Sequence, residues 1–158
     1  FEALMKVLPY CDEAEFYEAI ASFKGASKRL EKIAETSTAV AYKDFAHSPS
    51  KVLATTQAVK KQYPNKKLVA CLELHTYSSL NAVFLSQYQG ALDAADVAVV
   101  FYSPDAVSIK NLDVIVYTHP MECESCLQVQ EFNETVLLLM SSGNYGGLDF
   151  DKVQNIIA

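Results

Sequence analysis

Three stretches of this chain stay apolar along nearly their whole length: Lys67–Leu74, Val97–Tyr102 and Thr135–Met140. A strand with one wet face alternates apolar and polar residues. A short unbroken apolar run bounded by turn residues reads as a strand covered on both faces. None approaches the roughly 20 residues that a membrane-spanning helix needs. Between and around these runs lie helical patterns. Ser50 is placed to cap a helix on which Val52, Thr56, Val59 and Tyr63 share one face, while Lys60, Lys61 and Gln62 face water. Pro64-Asn65 ends it. A further helix from about Leu80 puts Leu80, Phe84, Tyr88 and Leu92 in register.

Shorter strands complete the pattern. Ala39–Phe45 reads as a strand broken by Ala46-His47-Ser48-Pro49, and Val114–Tyr117 as another. Ser27–Ile33 alternates as an edge strand does. Phe16, Ala19, Ile20 and Phe23 recur at helical spacing near the start, with Gly25 as the stop. Cys126–Phe132 fits part of a helix, and a short helix begins at Asp149. Strand and helix alternating at this spacing implies right-handed crossovers. The expected fold is α/β, three-layered and Rossmann-like, a mainly parallel sheet with helices on both faces.

The 158 residues suit one domain, and the 51% hydrophobic content supplies a core. Net charge is −6, from 13 basic and 19 acidic side chains. That excludes a non-specific nucleic-acid binder, which needs a basic face, but leaves room for an anionic ligand. The opening Phe1-Glu2-Ala3-Leu4-Met5 has no basic signal region, and reads as a mature chain or a piece of a longer one. Of the four cysteines, two lie in apolar surroundings, as free thiols of a reducing compartment do. Cys123 and Cys126 stand two residues apart. No second such pair completes a zinc site, and a surface helix that carries two thiols accounts for them as well as redox chemistry does.

In a parallel sheet, ligands gather at the carboxyl ends of the strands. Three polar loops are expected there: Asp44–Pro49, His75–Ser79 and Ser141–Gly147. Asp44 suits the vicinal hydroxyls of a ribose, with His47 at the same mouth. Equally, both side chains satisfy loop backbone groups or cap the helix. Arg29 suits a phosphate, through a bidentate guanidinium fork, or lies on a solvated strand face. His75, with Tyr77, Ser78 and Ser79, suits a polar acceptor or bonds its own loop. The glycine-rich turn lets backbone N–H groups approach a carboxylate, or is an ordinary tight turn. No phosphate loop, dinucleotide turn or nucleophile elbow is present, so this chain alone is a poor ATP hydrolase.

Taken together, three strings resemble the C-terminal domain of the Mur ligases, the ATP-dependent amide-forming enzymes of bacterial peptidoglycan synthesis. They are Phe23-Lys24-Gly25-Ala26-Ser27-Lys28-Arg29-Leu30-Glu31, Asp44-Phe45-Ala46-His47-Ser48-Pro49 and Met140-Ser141-Ser142-Gly143-Asn144-Tyr145-Gly146-Gly147. The likeness points first to the murein peptide ligase branch, which joins UDP-N-acetylmuramate to a tripeptide, and next to UDP-N-acetylmuramate–L-alanine ligase. It implies that residues 1–24 are the tail of a preceding ATP-binding central domain and residues 25–158 the C-terminal domain of a cytoplasmic bacterial enzyme, inactive alone. By the resemblance, Arg29 and Asp44 bind ATP, and Phe45, His47, His75, Ser142 and Asn144 face the acceptor. The Mg2+ ligands belong to the central domain, with no metal site here. The implied partners are UDP-N-acetylmuramate, a peptide acceptor and the enzyme's own N-terminal and central domains, with no nucleic acid and no membrane. A stand-alone α/β binding or scaffold domain without catalysis is the alternative.

Three features depart from the family pattern. No arginine stands in His75-Thr76-Tyr77-Ser78-Ser79, where the alanine-adding branch has a basic pair, and this favours a larger acceptor. Ser48 replaces a common second histidine. Ser103–Asp113 is short, as if a helix were deleted or residues were missing near Leu112–Asp113.

Overall fold

A computed structural model describes residues 12–22, 29–75, 82–102, 115–117, 125, 127 and 131–158. The three apolar runs form strands with the bounds expected of them: β3 (Lys67–Leu74), β4 (Val97–Tyr102) and β6 (Thr135–Met140). With β1 (Glu31–Glu35), β2 (Ala39–Asp44) and β5 (Ile115–Tyr117) they make one six-stranded sheet, in the order β1-β2-β6-β3-β4-β5. Only β1 is antiparallel to its neighbour, and the other four pairings are parallel. The mainly parallel α/β reading is what forms.

Burial follows strand parity. Val40, Tyr42, Leu68, Leu72, Val136 and Leu138 point to one face, where α2 (Pro49–Gln62) supplies Val52 and Val59. Ala41, Val69, Cys71, Leu137 and Leu139 point to the other, against Leu127, Leu148, Val153 and Ile157. Every residue of β6 is buried. Removing a leucine side chain from water contributes about 2 kcal/mol. The middle strands are therefore pinned in register, because a one-residue slip would swap both faces.

α2 begins two residues before the expected start. Ser48 occupies the cap position with extended backbone, Pro49 opens the first turn, and Ser50 lies inside the helix. Proline's fixed φ and missing N–H suit that place. The inward face is the expected one, with Val52, Thr56 and Val59 buried. The helix expected from about Leu80 is described as a single turn, α3 (Ala82–Leu85), followed by a 3-10 turn at Ser86–Tyr88. The C-terminal segment is a 3-10 turn, Phe150–Lys152, running into α4 (Val153–Ile156). It is capped by the Asp149 carboxylate, which accepts the Asp151 N–H.

The edge strand starts later than the alternation suggests, at Glu31. Leu30 just before it has a φ of 43°, a left-handed conformation that a leucine adopts at a cost of about 1–2 kcal/mol. α1 (Glu13–Ser22) is held by a reciprocal cap: Asp12 Oδ1 accepts the Glu15 N–H at 2.8 Å, and Glu15 Oε2 the Asp12 N–H at 3.4 Å. Ala14, Glu18 and Ala19 on it are exposed. The Gly25 stop, the Cys123–Cys126 pair, most of the Cys126–Phe132 helix and the Leu112–Asp113 junction lie outside the described residues.

The amino end of the sheet is tied by charges. Asp96 accepts the Lys60 ammonium and the Leu68 N–H, both at 2.7 Å. The Lys60 hydrogen bond, then the Leu68 amide, hold its carboxyl below the ordinary value of 3.8. A depressed folded-state value stabilises the fold above the unfolded value, and that contribution is lost as pH falls through the folded one. Asp96→Asn is therefore expected to lower stability to urea at pH 7. The gap to the parent should narrow as pH falls below 3.8 and through the lowered folded-state value.

Candidate functional site

Strand register sets the site. Met140 at the end of β6 pairs with Asp44 at the end of β2 on one side and with Leu72 of β3 on the other. The loops that leave these three strands therefore emerge side by side on one rim. The Ser141 N–H donates to the Asp44 carbonyl at 3.0 Å and joins the first two loops directly.

Asp44 is 7% exposed, and both carboxylate oxygens are in use. Oδ2 accepts the Leu30 N–H at 2.6 Å, and Oδ1 the Ala46 N–H at 2.7 Å. Of the two roles open to it from sequence, the structure displays the backbone one. Asp44 closes its own loop and holds the strained Leu30 in place. A second lone pair on each oxygen remains for a ligand hydroxyl that approaches from the rim.

Arg29, exposed and next to Leu30, carries its guanidinium carbon 5.8 Å from the centre of the Phe45 ring. The His47 imidazole meets the same ring edge-on, with centroids 5.1 Å apart and planes at 78°. His47 Nδ1 lies 2.9 Å from the Phe45 carbonyl. A carbonyl only accepts, so Nδ1 carries a proton and Nε2 is the free ring nitrogen. The His47 carbonyl in turn accepts the Tyr88 hydroxyl. Burial pushes Tyr88 up to about 12, so that hydroxyl remains a donor. Cation, aromatic ring and imidazole thus form one cluster on the loop that follows the buried Asp44. A cavity of about 480 Å3 is lined by Ser48, Pro49, Leu53, Phe84, Gln87 and Ala91. Arg29, Asp44 and His47 do not line it.

The second cluster centres on a residue that the sequence reading passed over. Glu73 is only 4% exposed. Its Oε2 accepts the Ser141 hydroxyl and lies 3.7 Å from His75 Nδ1. Ser141 Oγ also accepts the Gly143 N–H at 2.6 Å. A Cβ on Gly143 would sit 2.9 Å from Glu73 Oε2 and 2.9 Å from His75 Cε1, so any larger residue would push one of this pair aside. Ser142 Oγ is shielded from solvent and has no partner among the described residues. Asn144 is exposed, and its carbonyl accepts the Gly147 and Leu148 N–H groups at 3.0 and 2.9 Å. The rest of the His75–Ser79 loop lies outside the described residues.

Tyr145 anchors the turn. It is fully buried at a φ of 55°, and its hydroxyl lies 2.8 Å from the Cys71 carbonyl and 2.9 Å from that of Met140. One signal for Glu73 stood in plain view. It is an acid inside an apolar strand, at the same parity as Val69 and Cys71, which face the core. Among the described residues no three His, Cys, Asp or Glu side chains gather as metal ligands.

No family model matches the chain. It is 27% identical, over 143 residues, to the UDP-N-acetylmuramate–L-alanine ligase of Hydrogenobaculum sp. (strain Y04AAS1), covering 82% of this chain and 31% of that protein. The UDP-N-acetylmuramate–alanine ligase structure from Thermotoga maritima superposes with a TM-score of 0.72 at 25% identity, over 98% of this chain and 34% of its own. The murein peptide ligase of Psychrobacter arcticus 273-4 gives a TM-score of 0.73 at 16% identity, over 89% and 32%. These relatives are Mur ligases, and the fold of this chain matches their C-terminal domain. The chain spans about a third of the length of each of them.

Two substitutions test the rim. Asp44→Asn turns one acceptor into an N–H that faces a backbone N–H. It is expected to lower unfolding stability by about 1–3 kcal/mol in a urea titration. Tyr145→Phe removes a buried donor that two carbonyls share and is expected to cost about 1 kcal/mol.

Proposed function

We propose that this chain is the C-terminal domain of an ATP-dependent ligase that joins an amino acid or peptide to UDP-N-acetylmuramate in peptidoglycan synthesis or recycling. The observation that carries this reading is the cluster of Arg29, Phe45 and His47 on the loop after Asp44, on the same rim as the Glu73–Ser141 turn. An exposed guanidinium suits nucleotide phosphates, and Asp44 suits ribose hydroxyls through its spare lone pairs. Phe45, His47, His75, Ser142 and Asn144 face the acceptor. The amine that the ligase consumes then arrives beside the phosphates. The missing basic pair near His75 favours a peptide acceptor over a single small amino acid.

The residues that would hold Mg2+ are assigned to the central domain, and no step here runs through a metal. Residues 1–24 are assigned to the tail of that domain. The exposure of Ala14, Glu18 and Ala19 on α1 supports this. Among the described residues no helix is long and apolar enough to cross a membrane, and such a ligase works in the bacterial cytoplasm.

The chemistry is transfer of the terminal phosphoryl group of ATP to the muramoyl carboxylate, which gives an acyl phosphate and ADP. The acceptor amine then attacks the acyl carbon, loses a proton and expels phosphate. This domain contributes position and charge. Arg29 opposes the negative charge that spreads over the phosphoryl oxygens, and closure of the rim keeps water from the acyl phosphate. The test uses the full-length protein. ADP release is expected to require UDP-N-acetylmuramate and an acceptor, and the 158-residue chain alone is expected to hydrolyse no ATP. Arg29→Ala, at an exposed position, is expected to raise the KM for ATP by about fivefold or more, as is Asp44→Ala. An unchanged KM for ATP in both variants removes the assignment.

A further inference from the structure

We propose that Glu73 is the positioning residue of the acceptor side of this rim, an inference that rests on the ligase reading above. Its carboxylate is buried at the end of β3, between two loops that come from different strands. Oε2 takes the Ser141 hydroxyl from the β6 side and stands 3.7 Å from His75 Nδ1 on its own strand's side. Ser141 in turn holds the Gly143 N–H at 2.6 Å. Gly143 packs so closely that one added carbon would lie 2.9 Å from both Glu73 Oε2 and His75 Cε1. One carboxylate oxygen therefore stands between an imidazole and a glycine turn.

Packing alone does not call for an acid here. Val69 and Cys71, at the same parity lower on β3, show that apolar side chains fill this face. A buried carboxylate is costly unless hydrogen-bonded, and its hydrogen bond here runs to the loop after β6 while it faces the imidazole at the start of the loop after β3. Glu73 does not itself reach the acceptor. It acts through His75 and through the turn that carries Ser142, whose hydroxyl is shielded and has no partner among the described residues. A ligand group that enters between His75 and the turn would meet that hydroxyl. Loss of the carboxylate charge would loosen the imidazole against the turn and misplace the amine. Nucleotide contacts on the β2 side would be untouched.

The experiment is steady-state kinetics of the full-length protein, with ATP and acceptor varied separately, for the parent, Glu73→Gln and Ser141→Ala. Glu73→Gln keeps size and can still accept the Ser141 hydrogen bond. Ser141→Ala removes one hydroxyl and gives a second reading if the first variant folds poorly. Both are expected to raise the acceptor KM by about tenfold or more and to leave the KM for ATP within about twofold. A purely structural role would move both constants together or neither. An acceptor KM unchanged in both variants, or equal rises for ATP and acceptor, overturns the role while a ligating parent leaves the ligase reading intact. A parent that forms no amide with any muramoyl acceptor pair overturns both.

Discussion

The arrangement depends on one register. Met140 is paired with Asp44 and with Leu72 at once, so β2 and β6 end level and β3 runs on only to Leu74, although β6 comes last in the chain. Insertion of the last strand between the second and third brings loops far apart in sequence to one edge. Asp44 and Ser141 then share a backbone hydrogen bond, and Ser141 and Glu73 share a side-chain one. Because β3 and β6 are buried along nearly their whole length, this alignment is enforced by the core below it. A slip of one residue would turn Glu73 and Ser141 toward α2 and expose the opposite set to the wrong layer.

The two buried carboxylates of the rim do different work. Asp44 accepts two backbone N–H groups, each a bond of about 1.5–3 kcal/mol to a charged acceptor, against a desolvation cost of several kcal/mol. The balance is near zero. It also holds Leu30 in a left-handed conformation that costs about 1–2 kcal/mol. Stability therefore does not account for the acid at this position, and geometry does: Leu30 fixed at 2.6 Å sets Arg29 beside Phe45. Glu73 bonds a hydroxyl and faces an imidazole, groups that can shift with a ligand as backbone amides cannot.

The layers of the fold were legible because β3, β4 and β6 are apolar on both faces, a pattern that only a covered sheet explains. Faces of α2 were legible from the spacing of Val52, Thr56 and Val59. The start of β1 was not, because Leu30's conformation comes from a carboxylate fourteen positions away and not from its neighbours. The strings that carry the family resemblance pointed to Arg29, Asp44 and His47 around one open cleft. Arg29 does lie beside the Phe45 ring, but none of the three lines the cavity next to Pro49, and the hydrogen bonds that occupy Asp44 were not foreseen. Glu73 escaped notice because a single acid inside an apolar run reads as part of the strand. Its importance lies in partners across the sheet, Ser141 and Gly143, that sequence distance hides. Ser50 as cap failed for a local reason: Pro49 already fits the first turn and moves the cap to Ser48.

Leu30 also ties the start of β1 to this rim. Its N–H is held by Asp44, its side chain packs against the core, and β1 begins one residue later. It is therefore an anchored point, with Arg29 directly outside it. The strain at Leu30 is balanced by one carboxylate of the same sheet. That same carboxylate sits where the resemblance places the nucleotide. A ligand hydroxyl on Asp44 would therefore compete for, or share, the oxygen that steadies the junction, and so couple nucleotide contact to the position of Arg29.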